Sequence, residues 1–333
     1  MNRRLIIAAL CALIVTACGP KKEAAEGPPA ELHFGVLTTE SAADLQSKWE
    51  PILADMSKAI GIPVKGSYLT NYTALVEAMR FKQVDFGWFS NLPGLEAVRR
   101  ANGEVFAHTT DPSGIPGYFS IIIVPAKSKT TLEDLLKCDK TLNFGMGDAK
   151  STSGTLAPKT YLFAPRGIKP EECFKTVKSS NHQANLNAIR NSVLDAATNN
   201  SSSMLREKIR DPHAEDKIRV IWQSPSLPED PIIWRKTLDA GTREKIRQFF
   251  MTYGHGDGPE ADRQRALLST LTILNFEAAD DSHLIPVREM EASEQLEEAK
   301  TAGDAAKLAV AQKAYDAVHA EAVAKTAPAP AAK

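Results

Sequence analysis

The 333-residue chain lacks the features that announce most chemistries. Its formal charge is −1, with 40 Lys and Arg against 41 Asp and Glu, so no broad basic field exists to hold a nucleic-acid backbone. It has no Gly-x-Ser-x-Gly elbow for an activated serine and no Walker A loop for a nucleotide phosphate. The seven histidines show no His-x-x-x-His spacing, and the four cysteines form no Cys-x-x-Cys pair, which excludes the usual metal frameworks. His108, His213, His255, His283 and His319 read as surface residues. The apolar run at residues 5 to 15 is too short to cross a bilayer as a helix. These absences argue against an enzyme and against a resident metal or cofactor.

That short run has another reading. In "MNRRLIIAALCALIVTAC", Arg3 and Arg4 form a positive start, an apolar stretch follows, and small residues lead to Cys18. This is the pattern of an export signal, and "VTAC" resembles the lipobox of bacterial lipoproteins. The expectation is a signal peptide over residues 1 to 17 and lipid on Cys18; an ordinary cleaved secretory leader is the alternative. Residues 18 to 30 are Pro- and Gly-rich, as a tether between lipid and a folded domain would be. Removing the leader moves the net charge from −1 to −3. Cys138 and Cys173 then remain in an oxidising compartment, where a disulfide is allowed.

A mature chain of roughly 300 residues is long for one core and suggests two lobes. Laid on itself at an offset of 110, the sequence aligns "LHFGVLTTES" with "LNFGMGDAKS" and "NYTALVEAMRFKQVD" with "NHQANLNAIRNSVLD". Each copy reads as a strand, a hydroxyl-bearing turn, a helix, a second strand, an Asn-led helix, and an apolar pair ending in Asp85 or Asp195. Two βαβαβ halves imply doubly wound parallel sheets that bind ligand outside the carboxyl ends of their strands. Tyr72 and His182 then occupy equivalent helix starts. Asp85 and Asp195 are either turn acceptors or ligand contacts. Lobe one is expected over 31–120 and 225–290, and lobe two over 121–224. Residues 291–325 read as a helical arm with a thin stripe of Leu296, Leu308, Tyr315 and Val318. The arm either packs on a lobe or forms a homodimer, and a disordered tail follows at 326–333.

The stretch "GDAKSTSGTLAP" (147–158) carries the chemistry. A strand that ends in a glycine turn and leads into a helix leaves backbone N–H groups free at the positive end of the helix dipole. Ser151, Thr152 and Ser153 add uncharged donors there, a set suited to a tetrahedral oxyanion. A plain helix cap is the competing reading.

Taken in order, "FGVLTTES", "NYTALVEAMRFKQVDFGWFSN", "PGYFSIIIV", "GDAKSTSGTLAP", "DAATNN" and "RVIWQSPSLPEDPIIWRK" are similar to the phosphonate-binding proteins of bacterial ABC importers. The resemblance implies a type II periplasmic binding protein with two lobes, a ligand cleft and a C-terminal helix, delivering phosphonates to a permease and its ATPase. It implies that Tyr72, Ser151, Thr152 and Ser153 hold the phosphonyl group, with Tyr118, His182 and Asp230 completing the site. In an aminoethylphosphonate binder of the family, a glutamate follows the Asn-Asn pair and meets the ligand's ammonium; here "NNSSSM" has Ser202 in that place. A serine there forgoes a charge-assisted partner worth about 1.5–3 kcal/mol. 2-Aminoethylphosphonate is the first expectation; phosphite, methylphosphonate or another oxyanion is the alternative, as is a lipid-anchored sensor that uses the fold without transport.

Overall fold

The computed structural model describes residues 27–326. The signal segment, Cys18 and nearly all of the expected tail lie outside them. Among the described residues no helix is long and apolar enough to cross a membrane.

The repeat appears as two sheets of matching order. Lobe one contains β1 (Leu32–Val36), β2 (Val64–Tyr68), β3 (Phe86–Trp88) and β4 (Gly103–Thr109). Lobe two contains β5 (Ser120–Pro125), β6 (Asn143–Met146), β7 (Thr176–Ser179), β8 (Ala196–Asn200) and β9 (Ile218–Gln223). The chain returns to lobe one with β10 (Pro231–Arg235) and β11 (Phe276–Ala278). The orders are β2-β1-β3-β10-β4-β11 and β7-β6-β8-β5-β9. β1, β2 and β3 run parallel, as do β6, β7 and β8. The antiparallel fourth strand of each sheet, β10 or β5, arrives from the other lobe.

The offset of 110 holds at the level of single contacts. The helices Tyr72–Arg80 and His182–Arg190 begin after Asn71 and Asn181, whose side chains accept from the amides of Ala74 and Ala184. These are ordinary N-caps, and they fix where each helix starts. Asp85 Oδ2 accepts from the His33 amide at 2.8 Å, and Asp195 Oδ2 from the Asn143 amide at 2.7 Å. Both aspartates therefore tie strands together at the amino ends, away from the crevice, and act as turn acceptors. Asp85 also pairs with Arg235 at 2.6 Å inside lobe one. Gly35 and Gly145 recur for one reason: a Cβ would lie 2.4 Å from Leu75 and 2.7 Å from Leu194 in their respective lobes.

The two crossovers lie side by side. Tyr118 and Leu227 exchange backbone hydrogen bonds of 3.0 and 2.7 Å, and the Thr109 amide donates to the Asp230 carbonyl at 3.0 Å. In lobe two the Sγ atoms of Cys138 and Cys173 are bonded to each other.

Three expectations change. The C-terminal arm is a hairpin of two helices, Ile285–Ala302 and Ala305–Thr326. Gly303 ends the first in the left-handed region (φ 67°), and Asp304 caps the second through the amides of Ala306 and Lys307. The stripe residues Leu296 and Val318 are buried within it. The first helix also touches both lobes: Arg99 of lobe one pairs with Glu291 at 2.6 Å, and Lys159 of lobe two with Glu294 at 3.2 Å. Finally, His108 and His283 are not surface residues. They are half-buried and stacked at 4.7 Å, because β4 and the segment before the hairpin converge on the hinge.

Candidate functional site

Six helical segments begin at the crevice between the lobes: Ala42–Ile60, Tyr72–Arg80 and Asn91–Arg100 from lobe one, and 152–166, His182–Arg190 and Ser201–Arg210 from lobe two. Each follows the carboxyl end of a strand, so free N–H groups and positive dipole ends face inward from both sides. The segment 152–166 opens with wide π-helical turns and closes with a 3₁₀ turn. Gly147 and Gly154, which bracket the hydroxyl run, lie against one another. The Gly147 amide donates to the Gly154 carbonyl at 2.9 Å, and a Cβ on Gly147 would sit 2.6 Å from the Gly154 Cα. That close approach holds the turn shut.

Ser151, Thr152 and Ser153 are all buried, and each reaches a different partner. Ser151 Oγ accepts from the Gly154 amide at 2.9 Å, so it is a helix cap. Tyr72 of lobe one is buried beside it across the crevice. Thr152 Oγ1 accepts from the Leu92 amide and contacts Ser90 Oγ, each at 2.8 Å, both in lobe one. Ser153 Oγ accepts from Asn200 Nδ2 at 3.2 Å and lies 3.4 Å from His182 Nε2. Tyr118 is buried beside Ser90 and Ser153. Tyr72, Tyr118, His182 and the three hydroxyl residues thus form one polar cluster that closes lobe against lobe. Lys150, the cation nearest the run, turns away and pairs with Glu96.

Burial controls the charge of this cluster. It pushes the Tyr72 and Tyr118 phenols well above their ordinary range, so both remain donors. Burial, with the nearby Arg206 charge, lowers His182 to about 3, so its imidazole is neutral. The donors around the hydroxyl run therefore carry no formal charge.

Beside the cluster lies a cavity of about 30 Å³, lined by Thr39, Trp88, Tyr118, Ser202, Arg206, Glu229 and Asp230 among others. Thr39 Oγ1, Trp88 Nε1, Glu229 Oε1 and Asp230 Oδ1 are buried there without a hydrogen-bond partner among the described residues. Four such groups on residues lining one small space are unusual in a folded protein. Arg206 pairs with Glu40 across the lobes at 2.5 Å, and Lys48 holds the other oxygen of Glu40 at 2.7 Å. Burial alone would raise Glu40, but Arg206 and Lys48 together keep it below its ordinary value. Burial lifts Asp230 to about 7 against the pull of Arg206. Burial and the Asp230 carboxylate lift Glu229 to about 8.

The eight expected site residues, Tyr72, Tyr118, Ser151, Thr152, Ser153, His182, Ser202 and Asp230, thus surround the cluster and its cavity. Sequence reasoning missed Ser90, Asn200, Arg206, Glu229, Thr39 and Trp88. Thr39, Ser90 and Asn200 carried a readable signal, each standing at or after a strand end and before a helix start within a quoted stretch.

The profile of the family described as "ABC transporter, phosphonate, periplasmic substrate-binding protein" matches residues 34–284. The chain belongs to this family. It is 39% identical over 278 residues to the phosphonates-binding periplasmic protein of Escherichia coli K12, covering 83% of this chain and 80% of that one. The crystal structure of the binding-protein component of an ABC phosphonate transporter from Pseudomonas aeruginosa superposes with a TM-score of 0.84. That structure is 36% identical, and the match covers 91% of this chain and all of that one. A Prochlorococcus marinus protein solved with methylphosphonate shares the fold, with a TM-score of 0.66 at 20% identity over 78% of this chain and 97% of that one. Family members are periplasmic substrate-binding proteins of transporters rather than enzymes, which agrees with the missing catalytic elbow and metal spacing.

The two raised acids make stability depend on pH. A carboxyl whose folded pKa exceeds its unfolded value, about 4 for Asp and Glu, keeps its proton in the native state while the unfolded chain loses it. Stability therefore falls as pH rises from about 4 toward 8. Denaturant titrations of unliganded protein at pH 5 and pH 8 are expected to show a larger loss for the parent than for Asp230→Asn, with the variant the more stable of the two at pH 8. Equal losses would contradict the raised pKa of Asp230.

Proposed function

We propose that the protein captures phosphonates in the periplasm from a lipid anchor at Cys18 and delivers them to an ABC permease and its ATPase. The observation that carries this reading is the ring of uncharged donors contributed by both lobes, at converging helix starts, beside a cavity bearing carboxylates. A dianionic phosphonyl group placed between Tyr72, Ser151, Thr152, Ser153 and His182 would take over the hydroxyl contacts that now run from lobe to lobe. Its oxygens would meet N–H and O–H groups at the positive ends of several helices. The substituent on phosphorus would point toward Asp230. A primary ammonium there gains an ionic partner, whereas the fourth oxygen of inorganic phosphate would face like charge. 2-Aminoethylphosphonate is therefore the best candidate, ahead of methylphosphonate and phosphite, with inorganic phosphate last. The anchor rests on the "VTAC" pattern alone, and a dimer through the C-terminal hairpin would have to use its outer face, where Val310 and Val323 are exposed.

Calorimetric titration with these four ligands tests the reading. Ser151→Ala combined with Thr152→Ala removes two hydrogen bonds to a charged group, each worth about 1.5–3 kcal/mol, so phosphonate affinity is expected to fall at least 100-fold. Unchanged affinity would overturn the assignment of the oxyanion site. Cys18→Ala is expected to move the protein from the membrane fraction to the soluble periplasm; a soluble parent would overturn the anchor.

A further inference from the structure

The missing carboxylate at Ser202 leaves a question about charge that the cavity answers. Three acidic side chains approach it: Asp230 and Glu229 line it, and Glu40 sits behind Arg206. Glu40 is occupied on both oxygens by Arg206 and Lys48. It neutralises the guanidinium and has nothing left for a ligand. Asp230 and Glu229 each keep one oxygen out of solvent and without a partner.

Glu229 is also held in place. Its Oε2 accepts from Thr109 Oγ1 at 3.2 Å, and its carbonyl oxygen lies 2.7 Å from His283 Nε2. Pro228 and Pro231 flank the acidic pair, and the Asp230 carbonyl is tied to β4 through the Thr109 amide. The second oxygen, Oε1, is buried and without a hydrogen-bond partner among the described residues. Glu229 also lines the open groove on the other side of the hinge, with Ile115, Leu274 and His283, so its side chain is the partition between that groove and the ligand cavity. At about 30 Å³ the cavity admits one or two water-sized groups, the size of a primary ammonium and its methylene. Two further buried residues that line the same space, Thr39 and Trp88, each carry a polar atom with no hydrogen-bond partner among the described residues.

We propose that Glu229 is a specificity-determining residue that shares the ammonium end of an aminophosphonate with Asp230, and so takes over the role left empty by Ser202. This rests on the reading of the hydroxyl cluster as the phosphonyl site. It assigns the chain a two-carboxylate amine site built from consecutive residues of one crossover segment. Burial raises both acids, and the Asp230 carboxylate adds to the rise at Glu229; an ammonium between them would offset both effects, so the unliganded site is acidic, partly protonated and poised for a cation. Phosphonates without an amine gain nothing from Glu229.

The test is calorimetric titration of 2-aminoethylphosphonate and methylphosphonate against the full-length parent, Glu229→Gln, and Glu229→Gln combined with Ser202→Glu. Glu229→Gln is isosteric and removes one ionic partner. It is expected to weaken 2-aminoethylphosphonate about 10- to 100-fold while methylphosphonate stays within about threefold. Adding Ser202→Glu is expected to restore much of the loss, which a packing role for Glu229 would not allow. If Glu229→Gln weakens both ligands by the same factor, or neither, the inference is overturned and the phosphonate reading survives on the parent's methylphosphonate affinity. If the parent binds neither ligand, the phosphonate reading itself fails and the assignment of Glu229 falls with it.

Discussion

The site depends on one constraint, the direction of the helix dipoles in two parallel βαβαβ halves that face each other. The helix that follows each parallel strand starts at the carboxyl edge of its sheet. Two such edges brought together produce a crevice rich in N–H donors and poor in fixed charge. Asn71 and Asn181 set the starts of equivalent helices, and their next residues, Tyr72 and His182, enter the crevice from opposite sides. The Gly147–Gly154 contact adds a third start whose first residues are all hydroxyl-bearing. Anion binding is a property of this backbone arrangement, and the side chains refine it.

Charge is placed sparingly around that ring. Arg206 is the cation among the residues lining the cavity, and Glu40 takes up its charge across the lobes. The carboxylates lie at one end, on the crossover that bears Tyr118's partner Leu227. A ligand anionic at one end and cationic at the other would find uncharged donors and positive helix ends at the first and carboxylates at the second, while a symmetric oxyanion would be suited only to the first. Because Ser90, Leu92 and Glu40 belong to lobe one and Thr152 and Arg206 to lobe two, the same contacts that build the site also hold the lobes together. The first helix of the C-terminal hairpin contacts both lobes, so it takes part in the same closure.

Much of this was legible because it is repeated or local. The offset of 110 exposed the two halves, and the helix over His182–Arg190 spans the same nine positions, shifted by that offset, as the one over Tyr72–Arg80. The Ser151–Ser153 run announced itself by composition and position. Glu229 and Arg206 did not, because neither belongs to a periodic pattern. Glu229 lies in a Pro-bounded connection, and Arg206 is one cation among several on its helix; only folding brings them within reach of one cavity. His108 and His283, 175 positions apart, could not be seen as a stack for the same reason. The helical arm misled in another way: a continuous Ala- and Glu-rich composition hid the Gly303-Asp304 break, although that pair is an ordinary stop and start.

The central claim is that one oxyanion is gripped by hydroxyls from both lobes. Small-angle X-ray scattering of the full-length protein with and without saturating methylphosphonate addresses it directly. The radius of gyration is expected to fall on binding, because a ligand gripped by Tyr72 and Ser151–Ser153 together shifts the population of open and closed forms toward the closed arrangement described above. The fall should disappear when Ser151→Ala and Thr152→Ala are combined. An unchanged profile at a concentration where calorimetry shows saturation would contradict the account.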